Sequence, residues 1–426
     1  MPIILKNANF IHCETLEFVK THIVVDEGFD GFIRFINDIT QIADIQNYTI
    51  INCEGKFVTK SFAVGHHHSY SALATGMPAP KKNPSNFYEI LQEIWWKLDK
   101  ALDREMIEAS ALVTAIACAK AGSTFVVDHH SSPNCIGGSL EIIAQAFEKV
   151  GVAHLLCYEI SDRDGFEKAE QGLHETESYL KHHQTLVGLH ASFTVGDGTL
   201  RKAIDLMIKY HSGIHIHVAE DHYDQDDCLK KYGKRVIERL NDFGFLDSSK
   251  TILAHCLHLS DNERNIVNNS KAFVVQNTES NLNNKVGFFN SSSLGKNIFL
   301  GTDGMHSDMI RSAQAAHFVG QNFDNINFGE AYFRLRKVHD YLKINDFNGD
   351  GDNNLVVLDY PTPTPVNSSN FLGHFLFDLS SNHIQHVISN GKLIVKDKKI
   401  QTIDEQEVFD FANIQAARLW EKLDKI

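Results

Sequence analysis

A chain of 426 residues has room for one large domain and a smaller one around a substantial core. Its 54 acidic and 40 basic residues leave a formal charge of −14, which disfavours nucleic acid or an anionic membrane as partner, since both need a basic footprint. The 43% apolar content is ordinary for a soluble protein, and no apolar run approaches the length of a membrane span. MPIILKNANFIH lacks the pattern of a signal peptide, and seven cysteines with no CxxC pair suit reduced thiols, so a cytoplasmic location is expected.

In chain order, residues 1–60 carry short β-type runs, Ile3 to Leu5, His22 to Val25, Phe32 to Phe35 and Thr49 to Asn52, separated by turn signals. From Phe62 the pattern changes. Apolar runs now alternate with longer helical stretches: Phe62–Val64, Thr124–Val127, His154–Cys157, Leu186–Leu189, Ile214–Val218, Ile252–Ala254, Ala272–Val275 and Ile298–Leu300. Ile142 to Phe147 and Val236 to Leu240 have helix-like spacing, whereas 276–298 lacks a convincing helix. Near-continuous apolar strands alternating with helices imply a parallel sheet, and eight such units imply an α/β fold of the (β/α)8, TIM-like kind; an open doubly wound sheet is the competing reading. The first unit holds an insertion, Met77 to Trp96, of a kind that often serves as a lid.

Strand signals return at Leu355–Leu358, His386–Ile388 and Leu393–Val395, with an Asn390-Gly391 turn between the last two. The expected organisation is a small β-sandwich domain from both chain ends (1–60 with 345–404), a barrel over 61–344, and a final helix over 405–426.

The residues that follow the apolar runs carry the chemistry, because barrel active sites sit at the C-terminal ends of the strands. The first run leads into His66-His67-His68; strand alternation lets His66 and His68 grip one ion while His67 points away. The second ends in Asp128-His129-His130, the fourth in His190, the fifth in His215-Ile-His217 with Glu220 beyond, the sixth in His255, and the eighth in Asp303. His215 shares the inward face with His217 but lies deeper, which favours a core histidine; Trp95-Trp96 reads as core more readily than as a stacking platform.

HHH at 66–68, HVAE at 217–220, AHCLHL at 254–259, TESN at 278–281 and GTDG at 301–304 resemble the amidohydrolase superfamily in its mononuclear, deaminase-like branch. GHHHSYSALATGMPAP, EIWWKLDKAL, VVDHHSSPN, CYEISDRDG, GLHASFTV and GTDGMHSDM are similar to the SsnA-like aminohydrolases, so the resemblance covers essentially the whole chain. It implies that His66, His68, His217 and Asp303 bind one divalent ion, with Asp303 also taking a proton from water. It implies further that Glu220 shuttles a proton to the substrate, that His255 polarises the water or stabilises the oxyanion, and that His190 and His129 face the substrate. Three imidazoles and a carboxylate suit zinc, with iron as the alternative.

The expected activity is hydrolytic deamination of an aminated nitrogen heterocycle, a small-molecule substrate. Hydrolysis of an amide or carbon–halogen bond by the same attack is the runner-up, and a non-catalytic metal-binding homologue the rival. A homodimer is expected by family analogy. Three other patterns carry nothing: DFNGDGDNN at 346–354 lacks the last acidic ligand of a calcium loop, His174-Glu175 lacks the second histidine of HExxH, and PCxxC after HxE is absent.

Overall fold

The computed structural model describes residues 2–29 and 31–425. Strands are numbered along the chain. The first five are β1 (Ile3–Ile11), β2 (Phe18–Val25), β3 (Ile33–Ile36), β4 (Thr49–Asn52) and β5 (Phe57–Lys60). The next eight are β6 (Phe62–His67), β7 (Ser123–His130), β8 (Ala153–Tyr158), β9 (Val187–Ala191), β10 (Ile214–Val218), β11 (Ile252–His255), β12 (Phe273–Gln276) and β13 (Ile298–Leu300). The last four are β14 (Leu355–Leu358), β15 (Ile384–Ser389), β16 (Lys392–Lys396) and β17 (Lys399–Ile400).

Strands β6 to β13 coincide with the eight apolar runs and are buried on both faces, which explains why polar residues appear mainly at their last positions. All pair in parallel with their sequence neighbours, as one sheet β6-β7-β8 and another β9 to β13. Isolated bridges cross both seams. Leu156 pairs with Thr185 and Ile160 with Leu189 on one side, and His67 pairs with Asp303 on the other. Between the strands a single apolar cluster gathers Ala63, Phe125, Leu155, Ile252, Val275 and Phe299, floored by Tyr341 and Leu342 of the helix Phe328–Ile344. The predicted helical stretches lie in the helices Ser139–Val150 and Val236–Asp242, and only a seven-residue helix, Thr278–Asn284, occupies 276–298.

The two chain ends meet where β14 runs antiparallel to β5, pairing Leu355 with Lys60 and Val357 with Val58. The result is one hydrogen-bonded sheet of nine strands, in the order β17-β16-β15-β14-β5-β1-β2-β3 with β4 on β1, around its own core of Leu5, Ile23, Val58 and Val357. The sequence offers no separate signal for β5. Asn390 and Gly391 both have positive φ, as a type I′ hairpin turn requires, and a Cβ on Gly391 would sit 2.2 Å from the Asp26 carbonyl oxygen.

The helix Glu405–Leu423 lies along the helix Arg104–Lys120, where Glu405 pairs with Lys120 at 2.5 Å. Its last turns reach the strand-end side of the molecule. Trp420 Nε1 donates to the Leu73 carbonyl at 2.9 Å, and Lys422 Nζ to the Ala101 carbonyl at 2.9 Å. Among the described residues no helix is long and apolar enough to cross a membrane.

Candidate active site

The site is built from strand ends. Alternation along β6 turns His66 and the following His68 to one side, their rings 4.7 Å apart, and sends His67 away to Ser307 Oγ at 3.0 Å. Gly65 is required just before them, since a Cβ there would meet Phe299 at 2.4 Å and the Leu300 carbonyl at 2.6 Å. His217 arrives on β10, His255 ends β11, and Asp303 follows β13. Ala219, His255, Cys256 and Asp303 all have positive φ. Such strain costs of order 1–3 kcal/mol per residue, and it concentrates where side chains must be aimed rather than merely packed.

His66, His217, His255 and Asp303 each offer a ligand atom within 4.8 Å of the others. His68 Nε2 lies 3.0 Å from Asp303 Oδ1, and His66 Nε2 lies 3.5 Å from the same oxygen. Backbone carbonyls fix two tautomers: His68 Nδ1–H donates to His129 O at 2.6 Å and His217 Nδ1–H to His190 O at 2.8 Å. Each ring therefore aims an Nε2 lone pair inward, and the two nitrogens face one another at 3.1 Å. Two lone pairs at that range repel unless a cation or a proton lies between them. His66 Nε2 is buried with no partner at all. Three inward imidazole nitrogens and a carboxylate fit a divalent ion.

Burial drives His66 down to about 3 and His217 well below its ordinary value, so both are neutral, as ligands must be. Burial also opposes a charge on His68, but the hydrogen bond and charge of Asp303 outweigh it and lift His68 to about 9. Asp303 is held well below the usual carboxylate range: burial pushes it up, and the neighbouring His66 and His68 push it further down. Ser280 Oγ donates to its other oxygen at 2.5 Å.

Glu220 behaves in the opposite way. Burial first, then the charge of Asp303, raises its carboxyl well above the usual range. Its Oε2 lies 3.5 Å from His255 Nε2, which is also 3.9 Å from Asp303 Oδ2. Asn281 Nδ2 donates to His255 Nδ1 at 2.7 Å, so the ring proton sits on Nε2 and points at the two carboxyls.

A cleft of about 890 Å³, measured to its open mouth, exposes His68, His217, Glu220 and Asp303 at one end. His190 lines it too. Thr194 Oγ1 donates to Ala191 O and so accepts from His190 Nδ1–H at 2.7 Å, which leaves His190 Nε2 as an acceptor. His129, expected at the substrate, is buried beside His66, His68 and His217 and does not line the cleft. Its Nε2–H donates to His215 O at 3.1 Å, and Glu159 lies 3.3 Å from its Nδ1.

Several residues along the cleft have no role in the sequence reading. Arg163 donates to Glu159 at 2.9 Å, to Asp164 at 3.2 Å and to Asp99, with its guanidinium 5.3 Å from the Trp96 ring. Glu159 stands directly after β8, so the rule of reading the residue after each strand finds it, whereas nothing local marks Asp99. Trp95 and Trp96 line the cleft rather than filling the core alone, on a helical segment that opens into a π-turn over Leu91–Trp95.

A family model described as "Amidohydrolase family" matches residues 65–336. The chain belongs to the amidohydrolase family. Across 96% of both chains this amidohydrolase is 23% identical to the 5-methylthioadenosine/S-adenosylhomocysteine deaminase of Caldanaerobacter subterraneus subsp. tengcongensis. It is 26% identical to the 5'-deoxyadenosine deaminase of Methanopyrus kandleri, over 91% of this chain and 92% of that one. Among solved structures it is similar to a zinc-bound adenosine deaminase from Xanthomonas campestris, with a TM-score of 0.81, 16% identity and 98% of each chain covered. That likeness implies a TIM-barrel fold for the eight parallel strands. This amidohydrolase is a hydrolase of carbon–nitrogen bonds on the deaminase branch.

Proposed function

We propose that this amidohydrolase removes the amino group from an aminated nitrogen heterocycle of the purine kind, with His66, His68, His217 and Asp303 holding one zinc ion. The carrying observation is that Glu220 and Asp303 meet over His255 Nε2, 3.5 and 3.9 Å from it, at the rim of three inward imidazoles. Burial and the charge of Asp303 raise the Glu220 carboxyl, and the histidines lower that of Asp303. A pair of carboxyls driven apart in this way divides into an acid and a base. The relatives support the ring class, since their names specify adenine nucleosides. The same reading closes the eight strands into a (β/α)8 barrel over 61–344. It folds 1–60 with 345–404 into a sandwich-like β domain and leaves 405–426 as a separate helix.

When bound, a divalent ion supplies the Lewis acidity that lets water lose a proton near neutral pH. Asp303 accepts that proton as the water oxygen bonds to the amine-bearing ring carbon. Glu220 gives its own proton to the adjacent ring nitrogen, and the His255 N–H faces the oxygen that gains charge. The proton taken up by Asp303 then passes to the amino group, the carbon–nitrogen bond breaks and ammonia leaves, while the hydroxyl proton returns to Glu220 as the oxygen becomes a ring carbonyl. The aromatic walls, Trp95, Trp96 and Phe193 among them, hold a flat ring and keep bulk water out.

The test is ammonia release from the zinc-loaded protein across adenosine, 5'-deoxyadenosine, 5-methylthioadenosine and free aminated bases. Turnover of at least one is expected. Silence across the panel together with hydrolysis of N-acyl compounds would overturn the substrate class.

A further inference from the structure

Two buried side chains inside the strand ring have no part in the reaction, His215 on β10 and Cys157 on β8. They form a chain with a fixed direction. The Asp128 carbonyl can only accept, and Cys157 Sγ lies 3.6 Å from it, so the thiol hydrogen points there. Burial keeps that thiol protonated, raising it well above its ordinary value. The sulfur is then free to accept from His215 Nδ1–H at 3.7 Å. A neutral imidazole carries one hydrogen, so His215 Nε2 is an acceptor, and it takes Nδ1–H of His66 at 2.8 Å. His66 is left with its lone pair on Nε2, the partnerless atom 3.5 Å from Asp303.

The tautomers of His68 and His217 are set by backbone carbonyls, which no substitution removes. That of His66 is set by side chains alone. We propose that Asp128 C=O, Cys157 and His215 form a relay that fixes the tautomer of His66 and thereby the affinity of the site for its ion. The relay rests on reading His66 as a ligand, and His215 and Cys157 are positioning residues within it.

The test strips the full-length protein of metal and titrates it with Zn²⁺ against a chromophoric chelator, with melting of each metal-free protein measured alongside. His215→Leu is expected to raise the zinc Kd about 10- to 100-fold, the usual effect of losing a partner behind a ligand. His215→Gln, whose amide oxygen reaches the place of Nε2, is expected to return to within roughly threefold of the parent. Cys157→Val keeps shape but cannot accept, and a loss of about fivefold is expected, the worth of one ordinary hydrogen bond. Neither conservative variant should move metal-free melting. Weakening by His215→Leu that His215→Gln does not restore reflects lost packing and overturns the relay. Unchanged Kd in His215→Leu and Cys157→Val, with zinc lost in His66→Ala, overturns the relay and leaves the ligand reading standing. Zinc retained by His66→Ala overturns both.

Discussion

Glu220 and Asp303 occupy one small polar space, yet their surroundings drive them in opposite directions. Asp303 lies against His66 and His68 and accepts from Ser280, while Glu220 has a 3.4 Å contact from Asn284 Nδ2, the His255 ring at 3.5 Å and the negative field of Asp303. Glu220→Gln keeps the shape and removes the proton to be given. Its turnover is expected to fall about 10²- to 10⁴-fold with zinc content unchanged; a metal-free variant would mean that the carboxyl holds the ion instead. Arg163 offers a second test at this scale. It neutralises Asp99 and Glu159 where neither reaches solvent, so Arg163→Met leaves buried charge without a counter-ion. A loss of about 3–5 kcal/mol in urea unfolding is expected, and an unchanged midpoint would show that the acids simply take up protons.

Lys60 at the end of β5, His339 in the helix Phe328–Ile344 and Asp350 before β14 meet at one buried point, which ties the nine-stranded sheet to the strand ring. Lys60 Nζ lies 3.1 Å from Asp350 Oδ1, and His339 Nδ1 lies 2.7 Å from Oδ2. Burial raises Asp350, but the charges of His339 and Lys60 outweigh it and bring the group down to about 2 from 3.8. A carboxyl depressed on folding stabilises the protein above its unfolded value, and that stabilisation is lost as pH falls toward the folded one. Asp350→Asn is therefore expected to cost roughly 2 kcal/mol at pH 7, with the gap to the parent narrowing below about pH 4. Equal urea midpoints at pH 7 would remove the tie. This same loop carries the calcium-like DFNGDGDNN, and its central aspartate is engaged by Lys60 and His339.

Periodicity makes the elements legible: the eight inner strands follow from apolar runs, because burial on both faces leaves few polar residues to interrupt them. Strand-end position likewise exposes His66, His68, His217, His255 and Asp303. What stays hidden depends on contact between distant segments. Asp99 sits mid-helix, and it is in space that it lines the cleft and meets Arg163, 64 residues on. The placement of His129 misleads for a related reason: its strand end is right, but its ring turns toward His215 and Glu159 instead of the cleft. The Trp95-Trp96 spacing is compatible with core, and both rings line the cleft at the end of the π-turn Leu91–Trp95.

Across the whole molecule, the chemistry sits on rigid strands while one wall of the cleft sits on an inserted helical segment. Trp420 and Lys422 hold that segment at Leu73 and Ala101, on either side of it, and Lys81 Nζ reaches the Asp424 carbonyl at 2.6 Å. Trp420→Phe, which keeps an aromatic ring in place and deletes the donor, is expected to raise KM several-fold with kcat and zinc content near the parent values; a fall in kcat alone would place the effect elsewhere. Warming acts on the same few bonds. A few hydrogen bonds give way at lower temperature than buried parallel sheets, so catalysis should fade several degrees before circular dichroism registers any melting, and cooling should bring it back in full.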